Sequence, residues 1–408
     1  MQTEDRQFAG LNAPLRVVSP EDVIALMAPV FAHWPHEPAP KAGTPFATVG
    51  PTGKAGQWRL VAPKAARPDV LHDPVNAICD LIVEMSWERL RSRPELLCLH
   101  AAAVAFGGRL IVFPNQRRAG KSLLTATLAQ RGHAVFTDDF VPLAVDPRTR
   151  IISGVANGIA PRLRLPLPET LAPAHAAWIM DRITVHNRQY GYLTEVDLPL
   201  SGTEMPVGGV VLLDRDMDAA TPARLAPVSA DEALGAVVRQ NFGRHVHAGA
   251  ILAVTEAMAT SVPVLRLTYH DVAEAADLLA TSPLLKDAPA ARITAKGAEM
   301  PTRPAPLAMR AQRSRETADP QRTFAKIPGH TQVETENAIY LASETGLAIH
   351  RLNPVSMMIW RLLEEPLDGD TIIAVLGGVF PDVAPGQLAE DVVAALTFMV
   401  RDGLLAQR

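Results

Sequence analysis

The sequence predicts an α/β protein built on a mixed sheet, followed by a small α+β unit. Three observations carry this. Apolar runs of strand length alternate with helical periodicity through most of the chain. The stretch NQRRAGKS (residues 115–122) follows one such run and opens a helix-forming segment. A tract rich in Ala, Pro, Arg and Thr then sets off the C-terminal residues.

The chain has 408 residues. At roughly 100–200 residues per domain this is too long for one ordinary domain. The expected divisions are 1–95, an α/β lead-in; 96–281, the main sheet; 282–325, a flexible linker; and 326–408, a separate unit. Hydrophobic residues make up 48% and charged residues 20%, a globular balance rather than a disordered one. A net charge of −4 offers nothing to attract nucleic acid. The opening MQTEDRQFAG is polar and acidic, unlike a signal peptide. No apolar run reaches the roughly 18 residues of a membrane span, so a cytoplasmic protein without a membrane partner is expected. Cys79 and Cys98 sit in apolar segments without metal-ligand spacing and read as reduced packing residues.

The elements follow in order. Residues 20–34 read as an amphipathic helix, with Ser19 as cap and Pro20 at its first position. Residues 56–63 read as a strand. Residues 74–93 form a helix capped by Asp73, with Ile78, Leu81, Ile82, Met85 and Leu90 on one face. LHAAAVAF and RLIVF, joined by Gly107-Gly108, make a tight hairpin. A helix over 122–131, a stop at Gly132, a strand over 134–137 and the pair Asp138-Asp139 come next. Further strands are expected at 209–213 and 264–267, and helices at 230–241 and 272–279.

NQRRAGKS is nearly a G-x-x-x-x-G-K-[ST] loop, with Asn115 in place of the first glycine. Such a loop surrounds an anion with backbone N–H groups at a helix start. Its lysine adds charge at the β- and γ-phosphates, and its hydroxyl ligates Mg²⁺. Gly120, Lys121 and Ser122 supply these parts. Asn tolerates the left-handed conformation the missing glycine would take. Gln116, Arg117, Arg118 and Ala119 complete the loop, and its two arginines add positive charge. A strand ending in paired carboxylates is where a metal and a catalytic base belong beside such a loop.

The run LHAAAVAF-GG-RLIVF, then the loop and GKSLL, then RGHAVFTDDF, resembles the HPr serine kinase/phosphorylase family and its relatives in peptide-modifying gene clusters. The resemblance spans roughly residues 20–280, and its specific part is 99–140. It implies an HPr-kinase-like P-loop domain with a mixed sheet, the loop being led into from an antiparallel hairpin. It also implies transfer of the γ-phosphoryl of ATP, or of GTP, to a hydroxyl on a protein or peptide. By match, Lys121 and Ser122 hold phosphate and Mg²⁺, Asp138 is the base and Asp139 the metal partner, with the split between the aspartates open. His100 matches a family histidine; a buried strand histidine is the alternative. The Glu-containing signature of the bifunctional enzymes has no counterpart in GIAPRLRLP (158–166), which speaks against phosphorolysis. Arg162 and Arg164 there either hold phosphate or an acidic substrate segment, or form a plain surface pair. The family's rings make a homo-oligomer an expectation.

In the C-terminal unit, strands are expected at 331–334, 338–343 and 346–352, and helices at 354–363, 370–376 and 385–401. Asn353 caps the first helix, and Gly403 stops the last. LNPVSMMIW (352–360) and DVVAALTFMVRDGLL (391–405) resemble the PqqD family, a winged-helix-like module that binds the leader of a ribosomally made precursor peptide. The resemblance implies β-augmentation beside the third strand and third helix, with Leu347, Ile349, Leu352, Val392 and Leu396 as leader-binding residues. The third helix carries too little positive charge to read DNA.

Two functions lead at this level. One is an ATP- and Mg²⁺-dependent Ser/Thr kinase acting on the captured peptide. The other is a nucleotide-dependent peptide chaperone or switch without phosphoryl transfer. A kinase acting on a small molecule is a third possibility.

Overall fold

The structure is a computed structural model that describes residues 2–40, 43–114, 119–216, 222–242, 247–295, 298, 300–301, 317–342 and 348–408. It is a mixed α/β fold. A six-stranded N-terminal sheet runs in the order His36–Ala39, Thr3–Phe8, Leu15–Val18, Ala47–Pro51, Trp58–Val61, Asp69–His72. The helix Pro74–Ser92 packs against it through Ile78, Leu81 and Met85, which join Phe8, Leu15, Trp34 and Leu60 in one core. Asp73 caps that helix by accepting from the N–H groups of Val75 and Asn76. The first helix is shorter than its sequence suggests, running only over Pro20–Met27. Its Ser19 stands at φ 52 and makes no side-chain cap.

The central sheet has nine strands. The strands Ala102–Phe106 and Arg109–Phe113 pair antiparallel, turning through Gly107 and Gly108 at φ 52 and 78. Two successive positive φ values define the primed turn that matches strand twist. Arg109–Phe113 then runs parallel to Glu204–Arg215, which runs parallel to Val264–Tyr269. Val135–Thr137 pairs antiparallel with Ala102–Phe106. Phe113, Thr137, Arg215 and Tyr269 therefore leave the sheet at one edge. Ligands collect beyond such carboxyl ends.

Helices Lys121–Gln130 and Val272–Thr281 cover one face of this sheet, and Ala230–Gln240 and Ala248–Thr260 the other. Ala248–Thr260 has no counterpart in the sequence reading. It is buried nearly all round, so no amphipathic period marks it. No helix among the described residues is long and apolar enough to cross a membrane.

The segment read as a linker is largely structured at its two ends. Pro283–Lys286 is helical. Ala291 donates its N–H to Val207 O at 2.7 Å, and Ala291 and Ile293 are buried in the main core. At the far end, Thr323–Lys326 is a strand paired with Leu405–Gln407. Residues 302–316 lie outside the described residues.

The C-terminal strands Thr331–Glu334, Ile339–Ala342 and Ile349–Leu352 form a three-stranded antiparallel sheet. Helices Pro354–Leu362, Gly369–Val379 and Pro385–Arg401 follow. Asn353 caps the first of them through Ser356 N at 2.8 Å. Side chains alternate across a strand, and both faces of this sheet are used. Ile339, Leu341 and Leu352 enter the C-terminal core. Tyr340 and Ala342, with Val333 and Ile349 at the margin, enter the core of the main body against Ala248–Thr260.

Asp231, in the first turn of Ala230–Gln240, anchors this contact. It accepts from Arg351 Nη2 at 2.7 Å, Tyr340 Oη at 3.1 Å and Thr335 Oγ1 at 3.3 Å. Burial pushes its carboxyl up, but Arg351 and the two hydroxyls outweigh that and hold it below the usual carboxylate range. A depressed folded pKa stabilises above the unfolded value and loses its contribution as pH falls through the folded one. Docking should therefore hold from pH 8 to about 5 and weaken as pH falls below about 4. Hydrogen exchange in Ile339–Ala342 as a function of pH checks this. Asp231→Ala should cost about 1–3 kcal/mol of the same protection at neutral pH.

Candidate functional site

The cleft lies at the sheet edge where the parallel strands end. Its volume is about 780 Å³, and its lining includes Gly120, Lys121, Ser122, Asp138, Asp139 and Arg162. Lys121 and Ser122 open the helix Lys121–Gln130, whose first N–H groups have no intrahelical partner and suit an anion. Lys121 is buried. Gly120 stands at φ 91, and a Cβ there would lie 2.4 Å from the Tyr269 hydroxyl. That hydroxyl donates to Ala119 O at 3.3 Å, and burial pushes it up to about 12, so it stays a neutral donor. Asn115, Gln116, Arg117 and Arg118 lie outside the described residues.

Asp138 follows the strand Val135–Thr137 and is buried. Its Oδ2 accepts from Ser122 Oγ at 2.9 Å and from Arg162 N at 3.1 Å. Burial, then the neighbouring Asp139 charge, push its carboxyl up to about 6 against the pull of Arg162 and Ser122. The Thr137 hydroxyl accepts from the N–H groups of Asp139 and Phe140, both at 3.3 Å, and so shapes the turn. Asp139 is more exposed and lies 3.6 Å from His100 Nε2 and 3.5 Å from Arg162 Nη2. His100 is a partly exposed residue between strands rather than a buried strand histidine. Its N–H is held by Gln240 O at 2.8 Å.

Arg162 and Arg164 start and end the short strand Arg162–Arg164 and share one face of it. Both line the cleft. The Arg162 guanidinium sits 4.9 Å above the Tyr190 ring. Thus Lys121, Ser122, Asp138, Asp139, His100, Arg162 and Arg164 converge on one cleft.

The sequence reading missed Arg215, Arg239, Trp87 and Phe242, which also line it. Arg215 ends the strand beside the loop strand, and the strand-end rule was the one signal able to find it. Trp87 and Arg239 arrive from helices distant in sequence, and Phe242 lies just past the end of the second.

Among the described residues, no three His, Cys, Asp or Glu side chains cluster to hold a metal. Mg²⁺ needs few protein ligands, taking one or two oxygens beside phosphate and water. Ser122 and the aspartates fit that demand. Ser122 is bonded to Asp138, not Asp139.

The expected leader-binding residues need correction. Leu352, Val392 and Leu396 fill the C-terminal core, and Ile349 packs on the main body. Leu347 lies outside the described residues. An apolar stripe at helical spacing marked the buried face. The outer face of the same helix instead lines a groove of about 1290 Å³ with Val393, Ala394, Thr397 and Phe398. Phe398 meets His350, on the edge strand Ile349–Leu352, at 5.7 Å edge to face.

Residues 338–405 match the family model for coenzyme PQQ synthesis protein D (PqqD). No curated protein matches the chain. Among solved structures, the Hpr(Ser) kinase/phosphatase from Coxiella burnetii is similar at 15% identity, covering 43% of this chain and 85% of its own, with a TM-score of 0.19. So low a score leaves the main body to be argued from its own residues. The C-terminal unit is thus PqqD-like, attached to a mixed α/β body with a cationic and carboxylate-bearing cleft.

Gly120→Ala should lower stability by about 1–2 kcal/mol through its left-handed φ alone, with further loss from displacing Tyr269. Urea unfolding of the two proteins measures it.

Proposed function

We propose that this protein is an ATP-dependent kinase that phosphorylates a Ser or Thr hydroxyl of a ribosomally made precursor peptide. Its PqqD-like unit captures the leader. The observation that carries the reading is the contact of Asp138 with Ser122 at the start of the helix bearing Lys121, inside a cleft edged by Arg162, Arg164, Arg215 and Arg239. Lys121, the helix N–H groups and these arginines match a polyphosphate in charge. Ser122 and an aspartate would hold Mg²⁺, which would supply neutralisation of phosphate charge.

In the proposed reaction the acceptor oxygen bonds to the γ-phosphorus of ATP. The bond to the bridging oxygen breaks, ADP leaves, and the hydroxyl proton passes to Asp138. A carboxylate in an apolar setting is a stronger base than one in water. The Arg162 backbone N–H and the Ser122 hydroxyl fix its orientation. The leader would add as a strand to the open edge of Ile349–Leu352, with its apolar side chains in the groove beside Phe398.

The second reading, a nucleotide-dependent switch without transfer, is favoured by one observation. The helix Ala230–Gln240 touches the PqqD-like sheet at Asp231 and the cleft at Arg239 and Gln240. Asp138→Asn separates the two readings. Under the kinase reading it should cut peptide phosphorylation about 10²–10⁴-fold while leaving leader binding intact, read by intact mass and by peptide anisotropy. No mass gain from the unmutated protein, with nucleotide-dependent leader binding, would favour the switch. Asp139→Asn should instead raise the Mg²⁺ concentration needed for half-maximal rate.

A further inference from the structure

The cleft has two unlike flanks. One side of Gly120 opens on Pro168, Leu171, Tyr269 and His270, with Arg215 at the border. The other side opens on the carboxylates. There the helix Pro74–Ser92 presents Cys79, Val83, Ser86 and Trp87, one stripe at i, i+4, i+7 and i+8. Val83 lines the same small recess as Asp138, Asp139 and Arg162. It is 48% exposed, an aliphatic side chain on a charged cleft. Trp87 meets Phe242 edge to face at 5.7 Å beyond it.

A phosphate chain lying on Lys121 and Ser122 with its reacting end at Asp138 would run back across Gly120 on the side where Arg215 and His270 lie. The apolar wall is then left to the acceptor. A hydroxyl placed beside Asp138 brings its neighbouring residue against Val83 and Trp87.

The geometry points to an acceptor subsite, Val83–Trp87–Phe242, that selects a peptide with a bulky apolar or aromatic residue next to the phosphorylated hydroxyl. This rests on the kinase reading and names the substrate class of that site. Contact with one apolar side chain discriminates modestly, by about 10-fold or somewhat more. Val83 is the residue to change because its exposure makes the fold tolerant. Val83→Asp replaces the aliphatic contact with a third carboxylate beside Asp138 and Asp139 and so exchanges a preference rather than merely removing one.

The experiment uses the full chain, Mg-ATP and a positional library of synthetic Ser-containing peptides, read by phosphate incorporation. The unmutated protein should favour Leu, Ile or Phe beside the serine over Gly by about 10-fold in kcat/KM. In Val83→Asp that preference should fall to within about threefold and Lys or Arg should gain. Phosphorylation with no flanking preference, or a preference unmoved by Val83→Asp, overturns the subsite and leaves the kinase reading standing. A Val83→Asp effect confined to KM for ATP places the base on this wall and also overturns it. Phosphorylation of no library member, either alone or joined to the leader of the precursor peptide, overturns the kinase reading and the subsite with it.

Discussion

The buried Asp138 carboxylate is the contact on which the rest of the site depends. One of its oxygens receives both the Ser122 hydroxyl and the Arg162 N–H. Those two bonds tie together the start of the helix Lys121–Gln130, the end of the strand Val135–Thr137 and the start of Arg162–Arg164. Burying a carboxylate costs several kcal/mol unless donors repay it. The donors here repay part, and the remainder shows as a carboxyl raised to about 6. A group in that state is both a structural clamp and a poised proton acceptor. The same low dielectric that raises it strengthens the pull of Arg162 and the repulsion from any phosphate held by Lys121. Asp139, one residue on, is more exposed and paired with His100 and Arg162. Two adjacent carboxylates thus occupy different environments, the condition for giving them different tasks.

Much of this arrangement was legible in the sequence because its parts are local. Gly107-Gly108, Gly120, Lys121-Ser122 and Asp138-Asp139 each act within a few residues, and the turn and helix chemistry they demand is what formed. Asp73 and Asn353 capped where expected for the same reason. Ser19 did not, because its left-handed backbone turns its side chain away from the first helical turn's donors. What stayed hidden is non-local. Arg239 and Phe242 reach the cleft only because the sheet brings the end of Ala230–Gln240 beside His100. Ala248–Thr260 lies between a nine-stranded sheet and a three-stranded one, and burial on both sides erases periodicity. The leader-binding residues failed on a related ambiguity. A single apolar stripe does not say whether it faces a core or a ligand, and here Val392 and Leu396 face the core.

The C-terminal sheet changes how the two units are to be thought of. A unit joined only by a tether contributes effective concentration, which depends on linker length. This sheet buries one face in each of two cores. Its position relative to the cleft is therefore set by packing and by Asp231, not by chain length. Gly235 shows how close the fit is: a Cβ there would meet the Tyr340 hydroxyl at 3.0 Å.

That packing also limits what can move alone. Arg351 and Ile349 belong to one of the sheet's two edge strands, the one beside the groove at Phe398. Arg351 holds Asp231 at one end of an eleven-residue helix, and Gln240 at the other end holds the His100 N–H. A helix transmits displacement along its axis because each turn is bonded to the next. Whatever shifts the edge strand thus bears on the wall that carries His100 and Phe242. Should such a shift change affinity in the cleft, occupancy of the cleft must change affinity at the edge strand by the same factor, since binding free energies around a closed cycle sum to zero. Kinase and switch are then not opposed by this architecture. Both draw on the one helix between the edge strand and the cleft, and in the proposed kinase Asp138 is the group that separates them.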